Sequence, residues 1–280
     1  MIVSAFAKVN LSLRVRPRDD SGYHPLRSLV QSIGWADRLT LEAAEEDDFE
    51  ITGDLPAEED NLAWQAATAV RRAIGVRRSL RLHLEKHIAV AAGLGGGSAD
   101  AAAGLVAATG VLRGPAELPA LLAPTLGSDV PFCLVGGTAW MEGRGETITA
   151  VPLRPDYALA VAVPPFELAT AAVYRRWDQL DGPAGPTLSG RDLPPSLRGF
   201  ADLGNDLLPA ARDLHSDLAD WMADLTQRWD RPVHLPGSGP ACFAFFGDDA
   251  EASDAVGAVT GARAVWAGLP VGVGVRVEGS

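Results

Sequence analysis

The stretch that most constrains this chain is Ala91-Ala92-Gly93-Leu94-Gly95-Gly96-Gly97-Ser98-Ala99-Asp100-Ala101-Ala102-Ala103-Gly104, with four glycines between 93 and 97. Such a run costs backbone entropy, so it implies unusual dihedrals or close approach of the backbone to another group. Upstream, Leu80 to Lys86 alternates apolar and polar residues and reads as a strand. Downstream, Ala101 to Thr109 is alanine-rich and helix-prone, with Gly110 as its stop and Ser98 or Asp100 placed to cap its first turn. Strand, glycine-rich loop and helix together aim free N–H groups and the positive end of a helix dipole at one point, which suits a phosphate. No Gly-Lys-Ser/Thr ends the loop. A Gly-x-Gly-x-x-Gly pattern fails at Ser98 or at Asp100, depending on where it starts. The run alone also fits a flexible turn before a buried alanine-rich helix, so the rest of the chain has to decide.

The 280 residues suffice for one large or two ordinary domains. A formal charge of −12 argues against nucleic acid or an anionic membrane as partner, because both need a cationic face. Cys133 and Cys242 lie in apolar surroundings and read as buried thiols, which points to a reducing, cytoplasmic compartment. There is no leader pattern, no apolar run of membrane length and no metal-ligating Cys/His spacing.

Val3 to Arg16 alternates, with Ala5, Ala7, Val9, Leu11, Leu13 and Val15 facing one way and Lys8 and Asn10 as neighbours on the other. By itself that second face reads as solvated. Strands are expected at Leu29 to Ile33, Arg38 to Glu42 and Phe49 to Thr52, the last within an acidic loop from Glu45 to Asp60. Glu59-Asp60-Asn61 opens a helix through Ala73, and Ala116 to Leu122 reads as another. Ser128 or Asp129 can cap a short helix with Pro131 in its first turn. Strands follow at Thr138 to Met141 and Thr147 to Val151. A second unit begins near Tyr157: a strand at Ala158 to Val163, helices at Thr170 to Leu180 and Leu214 to Trp229, a glycine turn at Pro236 to Pro240, then a strand at 241–246, a helix at 248–256 and a closing strand at 272–277.

Lys8 and Asn10 on a first strand, the glycine loop, Asp129 at a helix start and the turn at Gly237 to Gly239 together resemble the GHMP kinases. Ala89 to Ala99 looks like that family's second motif, and Leu235 to Phe243 like its third. Ala5 to Leu11, Gly22-Tyr23-His24-Pro25-Leu26, Glu59 to Leu62, Gly127 to Phe132 and Glu142 to Glu146 narrow the resemblance to one branch. Its substrate is a cytidine diphosphate derivative of methylerythritol, from the non-mevalonate isoprenoid route. Ala89 stands where that branch has Pro, Ala99 where it has Ser or Thr, and Ser21 where it has Asp.

The resemblance implies a two-domain α+β GHMP kinase fold. Residues 1–153 would form a ribosomal-protein-S5-domain-2-like α/β domain carrying the ATP loop, and residues 154–280 a ferredoxin-like α+β domain completing the substrate site. It implies ATP as phosphoryl donor, with Mg²⁺ carried on the phosphates because no protein metal cage is visible. Asp129 would take the proton from the substrate hydroxyl, and Lys8 would offset the charge developing there. ATP would be held by Ala89, Val90, Ala91, Ala92, Gly93, Leu94, Gly95, Gly96, Gly97, Ser98 and Ala99, with Asn61, Leu62 and Lys86 on the adenine side. The substrate would meet Asn10, Tyr23, His24, Thr170, Tyr174, Gly237 and Ser238, with Tyr23 and Tyr174 flanking the cytosine and His24 bonding its edge. The expected partner is that small molecule alone, acting on a monomer or weak homodimer. A mevalonate- or homoserine-kinase-like enzyme and a non-catalytic nucleotide-binding module are the competing readings.

Overall fold

The computed structural model describes residues 1–53, 60–201 and 203–279, the side chain of Arg191 excepted. Glu59, expected to help open the first helix, and most of the second half of the acidic segment lie outside these residues. Among the described residues seven strands form one large sheet. β1 (Ile2–Val15) and β2 (Leu26–Ala44) pair antiparallel along most of their length. β3 (Asp48–Thr52) leads to helix α1 (Leu62–Ala73) and then β4 (Ser79–Glu85), which pairs antiparallel with one half of β2 and parallel with β3. α2 (Gly96–Leu112), α3 (Leu118–Leu126) and α4 (Val130–Val135) follow. The hairpin of β5 (Thr138–Gly143) and β6 (Thr147–Ala150) joins the other half of β2.

β7 (Ala158–Val163) starts a second, three-stranded sheet. It is flanked on one side by β8 (Cys242–Phe246) and on the other by β9 (Ala264–Gly268), both antiparallel. Between β7 and β8 the chain forms α5 (Thr170–Gln179), α6 (Leu208–Leu214) and α7 (Ser216–Trp229); α8 (Asp249–Gly257) connects β8 to β9. β10 (Val275–Val277) returns to the large sheet and pairs with β1. The expected closing strand of the second unit is therefore shorter and belongs to the first sheet, and β9 and α6 had no counterpart in the sequence reading.

Two expectations about the first strands need correction. The strands predicted at Leu29 to Ile33 and Arg38 to Glu42 are one continuous β2, in which residues 33–35 bulge opposite Ala7. The β1–β2 register shifts between Phe6 and Lys8, and again between Asn10 and Ser12. Each shift turns alternate side chains to the other face. Val3 and Ala5 consequently pack with α1 and α2, Ala7, Val9 and Leu11 with β7 and β8, and Leu13 and Val15 with α5 to α7. The face carrying Lys8 and Asn10 is covered rather than solvated.

α2 is longer than the predicted Ala101 to Thr109 and has no side-chain cap, so neither Ser98 nor Asp100 caps it. It begins where Gly95 turns into a left-handed conformation. Its alanines let it sit close against α1: a Cβ on Gly104 would lie 2.6 Å from the Ala63 carbonyl oxygen. Cys133 and Cys242 are free and buried, as expected.

Candidate active site

The glycine loop is built to lie on two other parts of the chain. Ala91, Gly93 and Gly95 have φ of 52°, 79° and 71°. A Cβ on Gly95 would lie 2.8 Å from Lys8 Cγ, and one on Gly93 2.7 Å from the Gly239 carbonyl oxygen. Only glycine permits both approaches. Backbone bonds fix the same contacts, with Lys8 N donating to Leu94 O (2.9 Å) and Ala241 N to Ala92 O (3.1 Å). Ala92, Leu94 and Ala99 are buried beneath the loop, Ala89 packs at its edge, and the Val90 carbonyl accepts from Arg263 Nη2 (2.6 Å). The first N–H groups of α2, at Gly96, Gly97 and Ser98, have no intrahelical acceptor and stand at its positive end. Asn61 caps α1 by accepting from Ala63 N (2.9 Å), and Leu62 lies across from Gly97.

Lys8 extends beneath Gly95. Its Nζ lies 3.2 Å from Asp129 Oδ2 and donates to Asn10 Oδ1 (2.7 Å). Asn10 Nδ2 in turn donates to Ser28 Oγ (2.6 Å), which donates to the Ser12 carbonyl (2.6 Å). Lys8 is only 7% exposed, so its charge is held by a fixed polar chain on β1 and β2. Asp129 precedes α4 but makes no side-chain cap, which leaves its carboxylate for Lys8. Thus two residues far apart in sequence meet beside the glycine loop. They line a cavity of about 210 Å³ with Asn10, Gly93, Gly95, Thr170, Tyr174, Gly237 and Ser238.

Lys86, expected on the adenine side, stands beside Gly96 at the glycine loop and is engaged within the protein. Its ammonium is enclosed by two carboxylates, in contact with Asp37 and 2.6 Å from Asp100 Oδ2. Asp37 is 0% and Asp100 2% exposed. Asp37 Oδ1 also accepts from His87 N (2.5 Å) and Ile88 N (2.8 Å), so the triad joins β2, the start of the glycine loop and the first turns of α2. Burial, together with neighbouring Asp37, pushes the Asp100 carboxyl up to about 8 despite Lys86. Burial works against the Lys86 charge, but Asp100 and Asp37 outweigh it and raise its pKa.

A second cavity of about 370 Å³ adjoins the first, sharing Leu26, Ser128 and Tyr174, and is lined also by Tyr23, His24, Arg18, Arg144 and Arg175. Tyr23 is 61% exposed and lies under the Arg144 guanidinium, 4.5 Å from its ring centroid. The His24 ring stacks on Tyr174 with centroids 5.4 Å apart and meets Trp177 edge-on. His24 Nδ1 lies 3.0 Å from the Arg16 carbonyl. Its Nε2 is 3.3 Å from Asp178 Oδ1 but without hydrogen-bond alignment. The turn has no Asp at 21. Instead Asp19 Oδ1 accepts from Ser21 N (2.9 Å) and Tyr23 N (3.3 Å), supplying a carboxylate from two residues upstream. Thr170 Oγ1 and Ser238 Oγ are 2.9 Å apart, which ties α5 to the second glycine turn.

The description GHMP kinases N terminal domain matches residues 61–137. The 4-diphosphocytidyl-2-C-methyl-D-erythritol kinase of Moorella thermoacetica is 40% identical over 261 residues, covering 89% of this chain and 90% of its own. The chain belongs to the 4-diphosphocytidyl-2-C-methyl-D-erythritol kinase family. The kinase of that name from Sinorhizobium medicae is 36% identical over 95% of this chain and 93% of its own. A crystal structure of 4-(cytidine 5'-diphospho)-2C-methyl-D-erythritol kinase superposes with a TM-score of 0.78 at 33% identity, covering 95% of this chain and 98% of that one. Homoserine kinase from Cytophaga hutchinsonii shares the fold, with a TM-score of 0.70 at 17% identity and cover of 99% and 96%.

Within this 4-diphosphocytidyl-2-C-methyl-D-erythritol kinase family chain, the sequence reading did not single out Ser28, Asp37, Asn205 or Arg144. Ser28 and Asp37 sit on a strand whose partner register no local pattern reveals. Asn205 follows a Gly- and Pro-rich loop. Arg144 was visible only as part of a turn.

Proposed function

We propose that this chain transfers the γ-phosphoryl group of ATP to a hydroxyl of 4-diphosphocytidyl-2-C-methyl-D-erythritol, at its 2-position. The observation that carries the reading is the Lys8–Asp129 contact of 3.2 Å in the cavity that the glycine loop borders. Phosphoryl transfer asks a protein mainly to position groups and to stabilise spread charge. The glycine loop and the N-terminus of α2 are the groups for the triphosphate, with Asn61 and Leu62 beside them on the adenine side. Asp129 accepts the proton of the attacking hydroxyl, and Lys8 holds Asp129 in place and offsets the charge on the oxygen. Tyr23, His24 and Tyr174 line the cavity suited to the pyrimidine, and Thr170, Gly237 and Ser238 the passage between base and reacting end.

Mg²⁺ fits this site as an ion borne by the nucleotide. Among the described residues no cluster of three or more His, Cys, Asp or Glu could hold a metal, while Ser98 and Asp129 offer single oxygen donors beside the loop. When bound, the ion would neutralise phosphate charge. Two buried thiols fit a reducing compartment, and among the described residues no helix is long and apolar enough to cross a membrane.

The test is ADP release from ATP with the cytidylylated methylerythritol, and with mevalonate and homoserine as controls. Turnover with the first and not the others is expected. Turnover of a control alone would replace the substrate assignment. No ADP with any alcohol would favour a binding module.

A further inference from the structure

We infer that Asn205 is a positioning residue that sets the second glycine turn against the catalytic strand and thereby governs binding of the acceptor alcohol. The inference rests on the reaction proposed above. The backbone around Asn205 is laced to β1 in parallel: Leu13 N donates to Gly204 O (2.7 Å), and Asp206 N donates to Leu13 O (2.9 Å). Asp206 reinforces the seam, accepting from Val15 N (3.0 Å), Arg14 Nη1 (2.7 Å) and Gly185 N (2.8 Å). From this fixed base the Asn205 side chain, in a residue only 8% exposed, reaches the turn. Nδ2 donates to the carbonyls of Leu235 (2.8 Å) and Gly237 (2.6 Å), while Oδ1 accepts from Leu207 N (2.9 Å).

Those two carbonyls bracket Pro236, and both Pro236 and Gly237 line the cavity that holds Lys8 and Asp129. Gly237 has φ of 92°, and a Cβ there would lie 3.3 Å from Asn10 Oδ1, the atom that accepts from Lys8 Nζ. Ser238, next along, contacts Thr170. One amide therefore fixes where the substrate-side turn stands relative to the strand that carries the lysine. The chemistry is particular to Asn. A primary amide offers two donors from one nitrogen and an acceptor from its oxygen, and all three are used here. Aspartate has nearly the same shape but would set a carboxylate oxygen against two carbonyl oxygens, leaving buried acceptors without donors. Asn205 bonds the turn at Leu235 and Gly237, ahead of Gly239 where the turn meets the ATP-facing glycine loop, and Ala241 N holds that far end to Ala92 O independently, so the larger effect should fall on the acceptor alcohol.

The experiment measures KM for both substrates, kcat and the thermal transition in Asn205→Asp and Asn205→Ala. The expected result is a rise of about 10- to 100-fold in KM for the cytidylylated alcohol in Asn205→Asp and a smaller rise in Asn205→Ala, with KM for ATP within about 2-fold of wild type. A merely structural role would lower the active fraction and the transition temperature while leaving both KM values unchanged, and that outcome overturns the inference. So does an equal rise in both KM values. Loss of ATP-analogue binding and of the cooperative transition in both variants would assign Asn205 to the scaffold and overturn it as well. A wild-type chain that phosphorylates no alcohol refutes the proposed reaction itself, a result separate from any difference between variant and wild type.

Discussion

Replacing Lys86 with methionine keeps most of the side-chain volume and removes the ammonium shared by two buried carboxylates. Asp37 retains the His87 and Ile88 N–H donors, whereas Asp100 Oδ1 has no hydrogen-bond partner even in the native protein. Removing one partner from a buried ion pair costs about 3–5 kcal/mol, because the other charge stays uncompensated. Asp100 can escape part of this by holding its proton, so the low end, about 3 kcal/mol, is expected at pH 7. The folded-state pKa of Asp100, near 8, lies above its ordinary value of 3.8. The stability linked to that proton is thus fully present below about pH 4 and is lost as pH rises through about 8. The Lys86→Met defect should accordingly be nearly the same at pH 5.5 as at pH 7 and grow by about 1 kcal/mol at pH 8.5, where Asp100 ionises beside the ammonium in the wild type alone. Asp100→Asn keeps an acceptor for Lys86 and should flatten the decline of stability across that window. Urea unfolding followed by tryptophan fluorescence, at three pH values for the wild type and both variants, measures all of this. A Lys86→Met loss below about 1 kcal/mol at pH 7, the size of an exposed pair, would refute the argument that this ammonium neutralises a buried acidic pair.

Asp129→Asn should lower kcat by about 100- to 10,000-fold while ATP binding, read by a fluorescent analogue, stays close to wild type; near-normal turnover would remove Asp129 from the base role. Tyr23→Ala should raise KM for the cytidylylated alcohol by about 10-fold and leave KM for ATP unchanged, since a stacked base loses on the order of 1–3 kcal/mol with its aromatic partner. Gly95→Ala forces a left-handed alanine and a methyl group into Lys8 Cγ, so a fall in kcat of about 100-fold is expected, with a folded protein by circular dichroism.

The glycine loop was legible because the residue type itself records a steric demand. Gly93 and Gly95 are glycine because Gly239 and Lys8 lie under them. Lys8 and Asp129 were legible through the family resemblance, not through their spacing. What the sequence hid is pairing between distant polar groups. Asp37 attracts no notice in the sequence, Asp100 reads as a helix cap and Lys86 as an adenine-side residue until β2, the loop and α2 are brought together. The register shifts between β1 and β2 were invisible for a related reason: strict alternation in sequence does not say where the register slips, and one slip hands Ala7 to a different cluster from Ala5. β9 was missed because its half-exposed residues carry no clean alternation.

The pairing of β10 with Val3 to Ala5 has a consequence for the nascent protein. Away from β2 that edge of β1 is covered in pieces, by residues 275–277 along Val3 to Ala5, by Leu94 at Lys8 and by residues 204–206 at Leu13, so its first stretch stays bare while nearly all the intervening chain emerges from the ribosome. A bare strand edge invites pairing with a stranger. The strand that carries Lys8 is thus synthesised long before the segment that seals its first residues.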